Sequence, residues 1–210
     1  MKNRMNGKLV LVILLLPVSL YAVVTWYGNQ FSRLPVFTRA LPGNKEQPYQ
    51  VRPFSLINQD DKITGTAAWE GKIAVVNFFF THCPGICPKM TLNLLEVQKA
   101  FEGDDQVMIS SLTVDPEHDS TLRLRQYAQQ FGIRAGKWQL LTGSKKDIYR
   151  LARNGFGVVA TDGDGGPQDF IHSDKLVLVD PQKRIRGYYN GTDKQEVQQL
   201  IRDIKKLKHE

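Results

Sequence analysis

The sequence predicts an α/β fold, a mixed sheet flanked by helices, preceded by an apolar N-terminal segment. Three observations carry that expectation. Short apolar runs of strand length alternate with longer segments whose apolar residues recur at helical spacing. One run, "KIAVVNFFF" (72–80), is apolar almost without interruption, as in a strand buried on both faces. Finally, Leu9 to Ser32 carries no charged side chain.

That uncharged stretch is long enough to cross a bilayer core of ~30 Å as a helix. Lys2, Arg4 and Lys8 precede it, and Trp26 and Tyr27 stand where an interfacial aromatic belt would lie. Cations before the span hold that end on the cytoplasmic side. The expected partition is a cytoplasmic tail (1–8), a transmembrane anchor (9–32), a linker (33–53) and a domain (54–210). This is the layout of a single-pass protein of the bacterial inner membrane with its domain on the periplasmic side. A cleaved signal peptide is the rival reading, but near Ala22 a small residue is wanted where Leu20 stands. Pro35, Pro42, Pro48 and Pro53 mark residues 33–53 as a spacer.

In the domain, "FSLINQDDKIT" alternates around a polar turn and predicts a hairpin. "KIAVVNFFF" is the buried strand. From Pro88 to Phe101, Met90, Leu94, Leu95, Val97 and Phe101 recur at helical spacing, and Pro88 suits a first helical turn. "QVMISSLTV" predicts the next strand. "DSTLRLRQYAQQFG" predicts a helix with an Asp or Ser cap and Gly132 at its end. "WQLLTGSKKDIYRLARNGFG" repeats strand, turn and helix. "KLVLVD" and "RIRGYYNG" are strands joined through Pro181, Gln182 and Lys183, and Asp193 caps a last helix. The order implies helices over both faces of a mixed sheet, antiparallel at one side. "TDGDGGPQ" lacks the context of a nucleotide or calcium loop and is expected to be a surface loop.

Charge excludes one class of function. The net charge is +7, but Lys2, Arg4, Lys8, Arg33, Arg39 and Lys45 stand in the first 45 residues without an acid. The remaining 22 bases face 21 acids. The domain is nearly neutral, so no nucleic-acid surface is indicated, and a monomer is compatible with this balance.

The chain has two cysteines, Cys83 and Cys87, in "VVNFFFTHCPGICPKM" (75–90). One leaves the end of a buried strand and the other lies at the start of a helix, where partial positive charge favours thiolate. Thiolate is the form that attacks a disulfide and the form that binds metal. Closing so short a loop removes little unfolded-state entropy, which weakens a purely structural disulfide. The residues themselves leave three readings open: structural disulfide, redox couple, or part of a metal site. A metal site needs a third ligand. His82 adjoins Cys83 and is expected to project away, His118 lies in a surface-like turn, and His209 is in the charged tail. His172, in "QDFIHSDKLVLVD", enters a strand. In a thioredoxin-like sheet that entry faces the cysteine loop.

"FFFTHCPGICPKM", "LTVDPEHDS", "WQLLTGSKKDI" and "FIHSDKLVLVDPQKRIRGYYNGT", taken together and in this order, resemble the Sco/SenC family over roughly residues 50–207. The resemblance implies a membrane-anchored, thioredoxin-like copper protein, a metallochaperone rather than an enzyme, that helps assemble the copper centre of cytochrome c oxidase. It implies Cys83, Cys87 and His172 as the metal ligands and copper, as Cu(I) or Cu(II), as the ion. Zn(II) would accept the same donors, so the family and not the donor set selects copper. The implied partners are the copper-site subunit of the oxidase or another copper chaperone. Asp115 and Asp119 match a D-P-x-x-D motif and are expected to support the site without binding metal. Two positions depart from the family pattern. Gly85 stands where many members have an acid, and Ile171 stands directly before the histidine, with Asp169 upstream. The alternative function is a thiol-disulfide oxidoreductase using Cys83 and Cys87 as its redox pair. Against it, two residues separate the cysteines in standard thioredoxin chemistry, and no proline occupies the position of His172.

Overall fold

The computed structural model describes residues 7–31, 33–41, 45–158 and 173–210. It forms two units. The first holds helix α1 (Gly7–Phe31), 25 residues long with Pro17 inside it. Side chains are described in α1 from 13 to 28, about 24 Å of helix at ~1.5 Å per residue. Among the described residues no helix is long and apolar enough to cross a membrane. Every side chain from Ile13 to Gly28 is nevertheless exposed, including Leu14, Leu16, Val18 and Trp26.

The second unit, Leu34–His209, is built on a seven-stranded sheet. A hairpin of β1 (Thr38–Leu41) and β2 (Lys45–Pro48) precedes it. Next come β3 (Ser55–Asn58) and β4 (Ile63–Gly65), the antiparallel pair that the alternating "FSLINQDDKIT" predicts. Asn58 forms the turn, its Oδ1 accepting from the amides of Asp60 and Lys62. After a 3-10 turn (Thr66–Trp69) the chain alternates β5 (Ile73–Phe79), α2 (Ile86–Ala100), β6 (Val107–Thr113), α3 (Thr121–Phe131) and β7 (Trp138–Thr142). A short α4 (Lys145–Arg150) runs into a π-helical turn (Leu151–Gly155), and β8 (Lys175–Val179), β9 (Ile185–Asn190) and α5 (Lys194–Leu207) complete the unit.

The capping expectations hold residue by residue. Ser120 accepts from the Arg123 amide at the start of α3, and Gly132 closes that helix in the left-handed conformation that glycine adopts freely. Asp193 opens α5 by accepting from Gln195, and Ser144, which the sequence places only in a turn, caps α4 by accepting from Asp147. Pro88 is the third residue of α2, within the first turn, where no amide donor is required.

The strand order is β4-β3-β7-β6-β5-β8-β9. Only β5, β6 and β7 run parallel. β3 pairs antiparallel with β7 at one side, and β8 pairs antiparallel with β5 at the other. The expectation of antiparallel strands at one side is therefore corrected to both sides. The sequence predicts the β3–β4 hairpin, and tertiary pairing adds it to the β7 edge.

All seven residues of β5 are buried. Phe78 stacks edge-on against Phe156 just after the π-helical turn, and Phe156 against Trp69. Its neighbour Phe79 meets Tyr127 of α3, whose hydroxyl hydrogen-bonds Thr91 of α2. Consecutive residues point to opposite faces, so the sheet carries the α2–α3 layer on one side and the Trp69–Phe156 cluster on the other. Buried polar groups inside this core are paired: the Trp69 indole donates to Ser110, the Trp138 indole to Ser111, and Ser111 to Asn77. Among the described residues no buried side-chain polar atom lacks a partner.

Residues 33–53 are not the free spacer that their prolines suggest. The Phe37 amide donates to Ile185, Ile185 donates to Tyr49, and Val51 donates to Lys183, so this segment covers the outer edge of β9. Arg186, only 4% exposed, fixes it by donating to the carbonyls of Leu34 and Pro35 and pairing with fully buried Asp180 at 3.2 Å. Prolines are compatible with this role because such a segment needs only some of its amides. Arg186→Met should free the segment while Arg184 still neutralises Asp180. Amide exchange at Phe37 and Tyr49 is expected to accelerate at least ~10-fold, with β5 and β6 unchanged. Unaltered protection at both amides would show that Arg186 does not hold them.

Candidate metal centre

The chain leaves β5 at Phe80, turns through Thr81–Gly85 and enters α2 with Cys87 as its second residue. Both cysteines are free and buried, Cys83 at 9% and Cys87 at 4% exposure. No side chain caps α2. Burial alone would raise the Cys83 thiol, but the amides of Cys87, Gly85 and Ile86, together with the Cys87 thiol, donate to its sulfur and bring it below the ordinary range. The unpaired first-turn amides of a helix are thereby used to stabilise a thiolate. Burial pushes the Cys87 thiol up to about 12. The Phe80 amide opposes this, while the Cys83 sulfur and the Asp119 carboxylate reinforce it. The pair therefore comprises one readily ionised thiol and one that resists ionisation.

Gly85 is not demanded by space. A Cβ there would meet nothing within 4 Å, and its φ of −118° is open to other residues. Packing therefore does not require glycine at this position.

Two carboxylates hold the approach to Cys83. Asp119, fully buried, accepts from the Thr81 amide (3.1 Å), the Thr81 hydroxyl (2.6 Å) and the Thr113 hydroxyl. One side chain thus ties the cysteine loop to the end of β6. Asp115 lies 3.2 Å from Nε2 of His82 and 2.9 Å from Nδ1 of His118. Asp115 and Asp119 thus hold His82 and Thr81, the two residues directly before Cys83.

Sequence reasoning missed the convergence of His82 and His118. Strand alternation was expected to turn His82 away, but β5 ends at Phe79, so alternation no longer applies at position 82. His118, three residues after Asp115, had the spacing of a same-face pair as its only local signal. His118 is raised above its ordinary value, first by its hydrogen bond to Asp115 and then by the charge of that carboxylate.

His172, Ile171, Asp169 and the "TDGDGGPQ" loop lie outside the described residues. The strand that follows them is described. β8 pairs antiparallel with β5, with Val177 opposite Val76 and Val179 opposite Ala74. The entry to β8 therefore approaches the end of β5 from which the cysteine loop departs. Asp174 accepts from the Gly191 amide, and Gly191 in turn accepts from Asn93 of α2.

Neither of two solvent-filled cavities includes the cysteine loop. One of about 530 Å³ lies between Arg52–Leu56 and the Asp147–Gly155 stretch, and one of about 650 Å³ lies between Gln47–Pro53 and Thr66–Glu70. Cys83 lies in the loop at the sheet end and Cys87 in the first turn of α2.

Two outcomes test this geometry. Asp119→Ala leaves three donors without their acceptor and should lower unfolding stability by about 3 kcal/mol in urea denaturation; a loss under about 1 kcal/mol would contradict the clamp. Alkylation with iodoacetamide, mapped by mass spectrometry on the full chain, should modify Cys83 before Cys87. Its pH midpoint should lie below the ordinary thiol value of ~8.5. The sign follows from the lowered thiol: thiolate persists as pH falls past the point where a free cysteine is protonated. Prior labelling of Cys87 would reverse the assignment.

The SCO1/SenC family model matches residues 42–209. The SCO1 protein homolog of Bacillus subtilis (strain 168) is 32% identical over 159 residues, covering 75% of this chain and 82% of that protein. Among solved structures, that of BsSco, described with a disulfide switch and as a member of the Sco family of cytochrome c oxidase assembly proteins, is 29% identical. It covers 84% of this chain and 98% of that one at a TM-score of 0.67. Arabidopsis thaliana ScoI with copper bound is 28% identical over 74% of this chain and 98% of that one, at a TM-score of 0.59. The match takes in all seven strands of the central sheet and α2 to α5, and the chain belongs to the SCO1/SenC family.

Proposed function

We propose that this protein is a copper carrier of cytochrome c oxidase assembly, binding the ion through Cys83, Cys87 and His172. The carrying observation is the pair of free, hydrogen-bonded thiols at the β5–α2 junction. Two sulfurs with an imidazole are a soft donor set that suits Cu(I) in three-coordinate geometry. Copper is cargo here, so the site must both hold and release it. A position at the end of the sheet suits ligand-by-ligand exchange with an acceptor. The acceptor would be the copper-site subunit of the oxidase or another copper chaperone.

Oxidation of the two thiols to a disulfide removes both sulfur ligands at once, so carriage would depend on redox state. The segment 9–32 would serve as the anchor, leaving the domain on the periplasmic side. Its support is the uncharged run from Leu9 to Ser32, the flanking cations and the uniformly exposed apolar side chains of α1.

A second reading, thiol-disulfide exchange, is favoured by the inequality of the thiols. Ready ionisation of Cys83 suits nucleophilic attack, and Cys87 would then resolve the mixed disulfide.

Anaerobic Cu(I) titration of the reduced full chain in detergent separates the two. One Cu(I) per chain is expected, with Cys83→Ala, Cys87→Ala and His172→Ala each weakening binding more than ~100-fold, since even loss of a group supporting a ligand costs ~10–100-fold. Full retention by His172→Ala would sink the three-ligand site. Turnover of a disulfide substrate by copper-free protein, indifferent to His172, would establish the exchange reading instead.

A further inference from the structure

Beside the thiols lies a second set of metal-ligating atoms of different chemical character. Among the described residues, one ligand atom from each of His82, Asp115 and His118 lies within 4.8 Å of the others. The Asp115 carboxylate is the hub: His82 Nε2 is 3.2 Å from Oδ2, and His118 Nδ1 is 2.9 Å from Oδ1 and 3.0 Å from Oδ2. The two rings stand 5.5 Å apart at 79° to one another.

We propose that His82, Asp115 and His118 form a second metal site, for a divalent ion of the Cu(II) or Zn(II) class, distinct in donor chemistry from the thiol pair. The separations already suit such an ion. Two atoms bound ~2.0–2.1 Å from one metal at near-tetrahedral angles lie about 3.3 Å apart. The nitrogen–oxygen distances here are 2.9–3.2 Å, so an ion can take the place of these contacts with little movement of the side chains. Two imidazoles and a carboxylate are borderline donors that take Cu(II) and Zn(II), and the Irving–Williams order ranks Cu(II) above Zn(II). The thiol pair is soft and favours Cu(I). The two sets therefore suit different oxidation states of one metal.

The site is built rather than incidental. The Asp115 carbonyl accepts from the amides of His118 (3.1 Å) and Asp119 (2.9 Å), and the Asp115 amide donates to Thr113, which fixes the turn. The same Asp119 that is buried in that turn holds Thr81, the residue before His82. The His82 ring packs edge-on against Phe80 at 5.3 Å. Both arms are thus held by contacts that do not involve the ion. The carboxylate is largely shielded, at 12% exposure, while the imidazoles are 49% and 70% exposed, which leaves coordination positions open to water or an incoming ligand.

The test removes the thiols. The full chain carrying Cys83→Ala and Cys87→Ala, purified in detergent and shown to be folded by circular dichroism, is titrated with Cu(II) alone and followed by electron paramagnetic resonance. One Cu(II) per chain with nitrogen hyperfine structure is expected, displacing Zn(II) loaded beforehand. His118→Ala and His82→Ala should each weaken it at least ~10-fold, whereas His172→Ala should leave it unchanged. Both substituted side chains are substantially exposed, so folding is not at issue, and His118→Gln offers a second variant at the same position. No Cu(II) uptake by the folded chain overturns the proposal. So does uptake indifferent to His82 and His118, or uptake lost with His172.

Discussion

The buried carboxylate of Asp119 is the contact on which the functional end of this molecule depends. It accepts from an amide and a hydroxyl at Thr81 and from a hydroxyl at Thr113, so the exit of β5 and the end of β6 share one acceptor. Charge-assisted hydrogen bonds of this kind are stronger than neutral ones, and a low-dielectric setting raises the cost of losing any of them. With Thr81 held, the next residues have little choice of path. His82 is delivered to Asp115, and Cys83 is delivered to the open N-terminus of α2.

From that delivery follows the inequality of the thiols. A helix leaves its first amides unpaired, and here no side chain takes them. The sulfur of Cys83 does, and its charge is stabilised accordingly, while Cys87, inside the helix and deeper in the core, meets burial and two negative neighbours. A pair with one poised thiolate and one reluctant thiol fits stepwise exchange, whether the exchanging group is a metal ion or a disulfide. Gly85 contributes an amide without a side chain, and the space around it shows that packing did not impose the choice.

The sheet supports this end in a way that its order alone would not reveal. Three parallel strands form the buried centre, and antiparallel strands flank them on both sides. Because β8 runs against β5, the chain entering β8 approaches the cysteine loop, so residues far apart in sequence are drawn to one end of the sheet. The segment before the domain is tied down by Arg186 and Asp180. The compact unit therefore begins at Leu34, before the first strand.

Much of this was legible in the order of residues because it rests on local physics. The strand "KIAVVNFFF" follows from its apolar run, the caps at Ser120 and Asp193 from side-chain oxygens that reach amides within three residues, and the stop at Gly132 from a left-handed turn. The placing of Cys83 and Cys87 at a strand-to-helix junction also needs no more than neighbouring residues. What the order of residues could not decide are the contacts between distant segments. The prolines of 33–53 are equally consistent with a free spacer or a docked edge, and only the carbonyls facing Arg186 distinguish them. Alternation spoke against His82, and nothing local linked it to His118, because their meeting depends on a carboxylate set by the β6–α3 turn. Periodicity and capping are encoded within a few residues, whereas the choice of partner across a sheet end is made by packing.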